Sequence, residues 1–324
     1  AWRDYLATID NASDDAIEAE AYAQMLENQS NPDVQPINRV LYYVADLDEV
    51  QELLVASDQA RLVPSPGFSN EDPDNPPPRA IFVLTDRPQP QSGADLTLEQ
   101  VPIGIASIYL FGKQTDREAR IELVPSSIGG EQTAGDALTD LADGKLGKPD
   151  SSEEISQVPV LTDSMAWNPV FPEDTPQEKI QELSLEHRNT SLTKLFPKIK
   201  LAALEGMTPE EASVDFEGRI KLEACLLIIE SNLQCRDHNA TLNEVRESLN
   251  LNGFEAVDPS DVDLNQVPDI RLARYDVSKL NTQQLGDVYQ RCYFVGFRRG
   301  FINAAEEIIK RDEKPPHVNM SDVY

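Results

Sequence analysis

Three cysteines and three histidines are the side chains of this 324-residue chain best suited to hold a metal or act as nucleophiles. Cys235-X-X-His238, with Cys225 upstream, resembles half a zinc site, because a thiolate and an imidazole at that spacing can share one tetrahedral ion. A closed site needs four ligands, and neither His187 nor His317 has a Cys or His at ligand spacing. Cys225 lies inside the apolar run ACLLII, where a free cysteine is an ordinary small hydrophobe. A nucleophilic cysteine served by His238 requires a lowered thiol pKa, which sequence does not supply. No metal, cofactor or catalytic residue is assigned from these residues.

Carboxylates offer little more. Glu153-Glu154, Glu210-Glu211 and Glu306-Glu307 are neighbours in a chain with 57 acidic residues, where such pairs are expected and solvated. The run DPSDVDLNQVPD over 258–269 suggests calcium, yet it lacks the turn glycine and terminal bidentate Glu of the twelve-residue loop. It reads as a solvated loop. Arg291, Arg298 and Arg299 interrupt an otherwise apolar stretch, and in so acidic a chain they are expected to pair with carboxylates inside the fold or at an interface.

That stretch, residues 281–314, reads as one long helix around which the rest packs. Small residues recur every fourth position at Cys292, Gly296, Gly300 and Ala304, which places them on one helical face. Leu285, Val288, Tyr289, Tyr293, Phe297, Phe301 and Ile308 widen the apolar sector. With Arg298 and Arg299, the four small residues are the candidates for close helix packing or an interface, packing within the chain against 208–235 being the default.

A net charge of −29 spread over every third of the chain argues against binding nucleic acid, which needs clustered Lys and Arg to neutralise phosphates. It equally disfavours an anionic membrane surface. The excess serves solubility or docks a basic partner. No apolar run reaches the length of a membrane span, and the amino-terminal stretch lacks the apolar segment of a signal peptide. The odd cysteine count fits reduced thiols, and so an intracellular location or the interior of an assembly.

Along the chain, 3–27 has an amphipathic helical pattern. A strand over 39–46 leads into a helix over 49–56 capped by Asp46 or Asp48. A Pro-rich loop over 64–78 precedes strands at 80–85, 103–111 and 119–124, the last two an antiparallel pair. A short helix follows over 136–142. Residues 145–175 are Pro-rich, but Met165 to Phe171 is too apolar for a free linker. The remainder is helical, over about 176–188, 190–204 with an interruption at Pro197, 208–235, 240–250 and 281–312, with 270–275 a possible short strand. Thr175-Pro176 and Thr208-Pro209-Glu210-Glu211 carry helix-start signals.

The order strand, helix, three strands, Val124-Pro125, glycine turn and helix over 39–142 resembles that of the GNAT superfamily of acyl-coenzyme A-dependent N-acyltransferases. The resemblance covers about a third of the chain. It implies a coenzyme A pyrophosphate at the turn SSIGGEQTAG and the helix N-terminus after it. That turn has no basic residue and sets Glu131 where the phosphate would approach, so a structural sheet with the same element order is the alternative.

The fold class expected is α+β, a small mixed or antiparallel sheet with flanking helices followed by a mainly helical domain. The organisation read is a helical arm at 1–34, a sheet domain at 35–145, a connection at 146–175, a helical domain at 176–314 and a tail at 315–324. The function expected is a non-catalytic assembly subunit, a homo-oligomer or part of a larger complex, acting through an acidic surface and extended arms. A divergent acyltransferase and an acidic adaptor for a basic protein are the alternatives.

Overall fold

The computed structural model describes residues 13–64, 77–115, 117–232, 238–252, 257–260 and 262–323. The fold is α+β, about 49% helical and 17% strand. Contacts divide the chain into two units, one over 33–190 and the other formed by the residues before and after it. The first described helix, α1 (Asp14–Ser30), belongs to the second unit.

The unit over 33–190 contains β1 (Val34–Tyr43), α2 (Leu47–Ala56), β2 (Ala60–Val63), β3 (Ala80–Thr85), β4 (Gly104–Phe111), β5 (Arg120–Pro125), α3 (Glu131–Leu141), β6 (Ser151–Pro159), α4 (Val160–Ser164) and α5 (Gln177–Thr190). The six strands form one sheet, ordered β2-β3-β4-β5-β1-β6, antiparallel at every pairing. Strand alternation builds its core. Phe82, Leu84, Ile108, Leu110, Ile121 and Leu123 point to one face, where Val50 and Leu54 of α2 and Ala134 and Leu138 of α3 cover them. Asp46 caps α2 by accepting from Glu49 N at 3.0 Å. On the opposite face Arg39 bridges Glu122 and Glu153, and Arg120 lies over the Phe111 ring.

Residues 145–175 hold more structure than a connection. They supply β6, which pairs with β1 over residues 34–41, and Trp167 and Phe171, which pack beside Leu96, Val101 and Leu183. Trp167 also stacks on His187 with centroids 4.6 Å apart. β6 is an edge strand with a register shift opposite Ile37/Asn38, two glutamates and a terminal proline. Those are features that discourage a further strand from adding.

The second unit joins α1 to α6 (Pro209–Ala212), α7 (Phe216–Asn232), α8 (His238–Ser248), α9 (Asp269–Leu272), α10 (Thr282–Val295) and α11 (Arg298–Lys310). Thr208 is the N-cap expected at the start of α6, and with Glu211 it forms a capping box. Ile17 and Ala21 of α1 lie in the core with Leu227, Leu285, Val288, Ala304 and Ile308. Glu18 of α1 is buried too, held by Arg271 at 2.6 and 2.7 Å; burial pushes its carboxyl up while the arginine opposes that shift.

Four sequence expectations are corrected. The helix expected over 208–235 is two, α6 and α7, up to Asn232, beyond which 233–235 lie outside the described residues. Residues 190–204, read as a helix interrupted at Pro197, instead form a π-turn over 191–195 and 3-10 turns over 196–198 and 202–204. Residues 270–275 begin as the helical turn α9, only Tyr275 making an isolated bridge, to Val257. The long helix over 281–314 is two helices, because Gly296 takes φ +85° and ends α10.

The tail straps α10. Gln290 Nε2 donates to His317 O at 2.8 Å, Val318 is buried, and a Cβ at Gly286 would stand 2.5 Å from His317 Nε2. Gly286→Val is expected to lift the tail at a cost of about 1–2 kcal/mol. Limited proteolysis checks this: cleavage within 315–323 should accelerate by roughly five- to thirtyfold, the equilibrium factor for that free energy.

A candidate interaction surface at the helix hairpin

The α10–α11 hairpin is built by a left-handed glycine turn. Gly296 N donates to Tyr293 O at 3.2 Å and Phe297 N donates to Cys292 O at 2.9 Å, the two bonds of a Schellman ending. Its apolar contact is present as well, since Phe297 and Cys292 are both buried. Only a residue free of Cβ strain adopts this φ readily.

This turn separates the residues that sequence placed on one face. Cys292, Gly300 and Ala304 lie inside the unit, and Gly300 meets Cys292 Sγ and Ala273 Cα at 2.5 and 3.3 Å from an added Cβ. Gly296 is exposed, with no atom within 4 Å of such a Cβ. Arg299 pairs with Glu230. Arg291 binds Asp269 at 2.6 Å and the carbonyls of Leu264 and Val267. Arg298 is exposed and makes no ion pair among the described residues.

The last turn of α10 carries Tyr293, which the sequence reading placed in the apolar sector, together with Phe294 and Val295. Tyr293, Phe294 and Val295 are 61%, 82% and 46% exposed. An aromatic ladder ties them to the interior. Tyr289 packs on Phe301 at 4.9 Å, Phe301 on Tyr293 at 5.6 Å, and Tyr293 on Phe294 at 5.9 Å. The tip is thus a supported apolar projection with an arginine one turn away. Aromatic residues and Arg are the types enriched at interface centres. A rigid turn with few rotatable bonds also lowers the entropy lost when such a tip is covered.

Other candidates are placed elsewhere. Cys225 and Cys292 are buried and their thiols are pushed up to about 12, so neither is a thiolate near neutral pH. Cys235 and the His238 side chain, residues 65–76 of the Pro-rich loop, Asp261 and the first twelve residues lie outside the described residues. Asp258 binds Lys279 at 2.5 Å and Ser260 at 2.6 Å, while Asp263 caps a turn at Asn265. Among the described residues no three His, Cys, Asp or Glu side chains gather closely enough for a metal, and no helix is long and apolar enough to cross a membrane. At the start of α3, Ile128 N donates to the Asp163 carboxylate at 3.1 and 3.2 Å, and Asn38 donates to Glu131 at 2.9 Å. Protein carboxylates therefore occupy the ground where a pyrophosphate would approach.

Comparison of the chain with protein-family models, curated proteins and solved structures finds no match.

Proposed function

We propose that this protein is a non-catalytic assembly subunit that associates with further copies of itself through the α10–α11 hairpin tip. The observation that carries the reading is the exposed Tyr293-Phe294-Val295 turn, braced by the aromatic ladder and flanked by Arg298, which makes no ion pair among the described residues. A second copy suits that tip in charge, since a chain with 57 acidic and 28 basic residues offers carboxylates to an arginine that pairs with none among the described residues. The carboxylates at the start of α3 favour this reading over acyl transfer.

Salt tests the reading by direction. Two copies at −29 repel, so light scattering should show association strengthening as ionic strength rises from about 0.02 to 0.5 M and the Debye length shrinks to a few ångströms. A particle that stays monomeric throughout contradicts self-association. The net charge itself favours the second reading, an acidic adaptor for a basic protein; that complex would weaken steeply over the same range.

A further inference from the structure

We propose that the cleft between α3, β1 and the start of β6 binds a small organic diamine, whose ammonium groups meet Glu131, Asp136 and Asp150 and donate to the Tyr42 hydroxyl. The cleft measures about 490 Å³ and lies wholly within the unit over 33–190. That size falls among small-molecule sites, roughly 300–1,000 Å³. Tyr42 forms its floor, 4% exposed and on the side of the sheet that α3 covers. Its hydroxyl reaches α3 where Gly135 leaves room, since a Cβ there would stand 2.8 Å away. Among the described residues that hydroxyl makes no hydrogen bond. A buried polar group is normally paired, so a partner from within the cleft would satisfy it.

The charge around the cleft says which partner. Glu131 and Asp136 line it from α3 and Asp150 from the residue before β6. None of the three makes an ion pair among the described residues. Glu131 accepts from the Asn38 amide at 2.9 Å and Asp136 from the Gln132 amide at 2.7 Å, neutral donors that leave both charges in place. A metal ion does not suit them, because among the described residues no three carboxylates gather closely enough to share one. Glu131 and Asp136 are five positions apart on α3, about 7.5 Å along its axis, so one cation that serves both must spread its charge along a short chain. Val40 and Pro149 give the methylenes of that chain apolar walls. An ammonium group only donates and a phenol oxygen accepts. Burial, and then Asp136, push the Tyr42 pKa up, which keeps the hydroxyl neutral near pH 7.

Titration calorimetry of the full chain with 1,4-diaminobutane, at about 0.1 M salt to screen diffuse attraction, tests the site. Saturable binding of one diamine per chain is expected, with butylamine binding more weakly. Tyr42→Phe removes a hydroxyl that no described residue pairs with, so the melting curve should hold while binding weakens by about tenfold or more, the loss of a hydrogen bond to a charged group. Asp136→Asn, at an exposed position, should weaken binding several-fold, and it decides the matter if Tyr42→Phe fails to fold. Glu186→Gln, an exposed carboxylate on α5 outside the cleft, should change nothing. Binding that does not saturate, or that Glu186→Gln weakens as much as Asp136→Asn, would reduce the effect to general attraction by an acidic surface and overturn the site. Folded Tyr42→Phe that binds like wild type overturns it too, as does magnesium displacing the diamine at equal concentration.

Discussion

Gly300→Leu is expected to disrupt the second unit outright. A Cβ alone at this position falls 2.5 Å from Cys292 Sγ and 3.3 Å from the Ala273 backbone, and both neighbours are buried. Cys292 is fixed by the Schellman turn that accepts two amide bonds at its carbonyl, so the helices cannot separate locally without undoing the hairpin. Three further leucine carbons have no space between α10 and the residues after α9. Overpacking of this kind costs about 3 kcal/mol, a large share of the roughly 5–15 kcal/mol that holds a domain together. Thermal melting by circular dichroism should show the helical transition shifted well down. Adding Cys292→Ala should recover part of the loss for Gly300→Ala, whose only severe contact is the sulfur. If Gly300→Leu melted like wild type but no longer self-associated, the face would belong to an interface between copies.

The parts of this fold legible in the sequence are those where local pattern and tertiary role agree. AIFVLT and GIASIYLF alternate toward one buried face, and Thr208-Pro209-Glu210-Glu211 satisfies its own amide groups, so each declares itself without knowledge of the rest. β6 did not, because SSEEISQVP is exposed on both faces and owes its extension to backbone bonds with residues more than a hundred positions earlier. The hairpin turn was hidden by coincidence. A glycine four residues from Cys292 and four from Gly300 continues a helical stripe as well as it ends a helix. The distinguishing signal is Phe297, an apolar residue just after the glycine, which the Schellman contact needs and a solvent-exposed helix would not. Missing that break sent Tyr293 to the apolar sector of one long helix, and with it the candidate surface went unread.

Phe294→Ser is expected to leave the fold intact and remove the association. Its ring is 82% exposed and stacks only at the end of the ladder, so stability should change by about 0.5 kcal/mol or less. At the centre of an interface the same ring would anchor about 2 kcal/mol of binding, roughly thirtyfold in the dissociation constant. Arg298→Glu should weaken association further by setting a carboxylate against an acidic partner surface. Sedimentation equilibrium of wild type and Phe294→Ser, at matched concentration and salt, tests the central claim most directly. The hairpin-tip account predicts a concentration-dependent oligomer for wild type and a monomer for the variant with an unchanged melting curve; equal association of the two, or a wild type monomeric at every concentration, would contradict it.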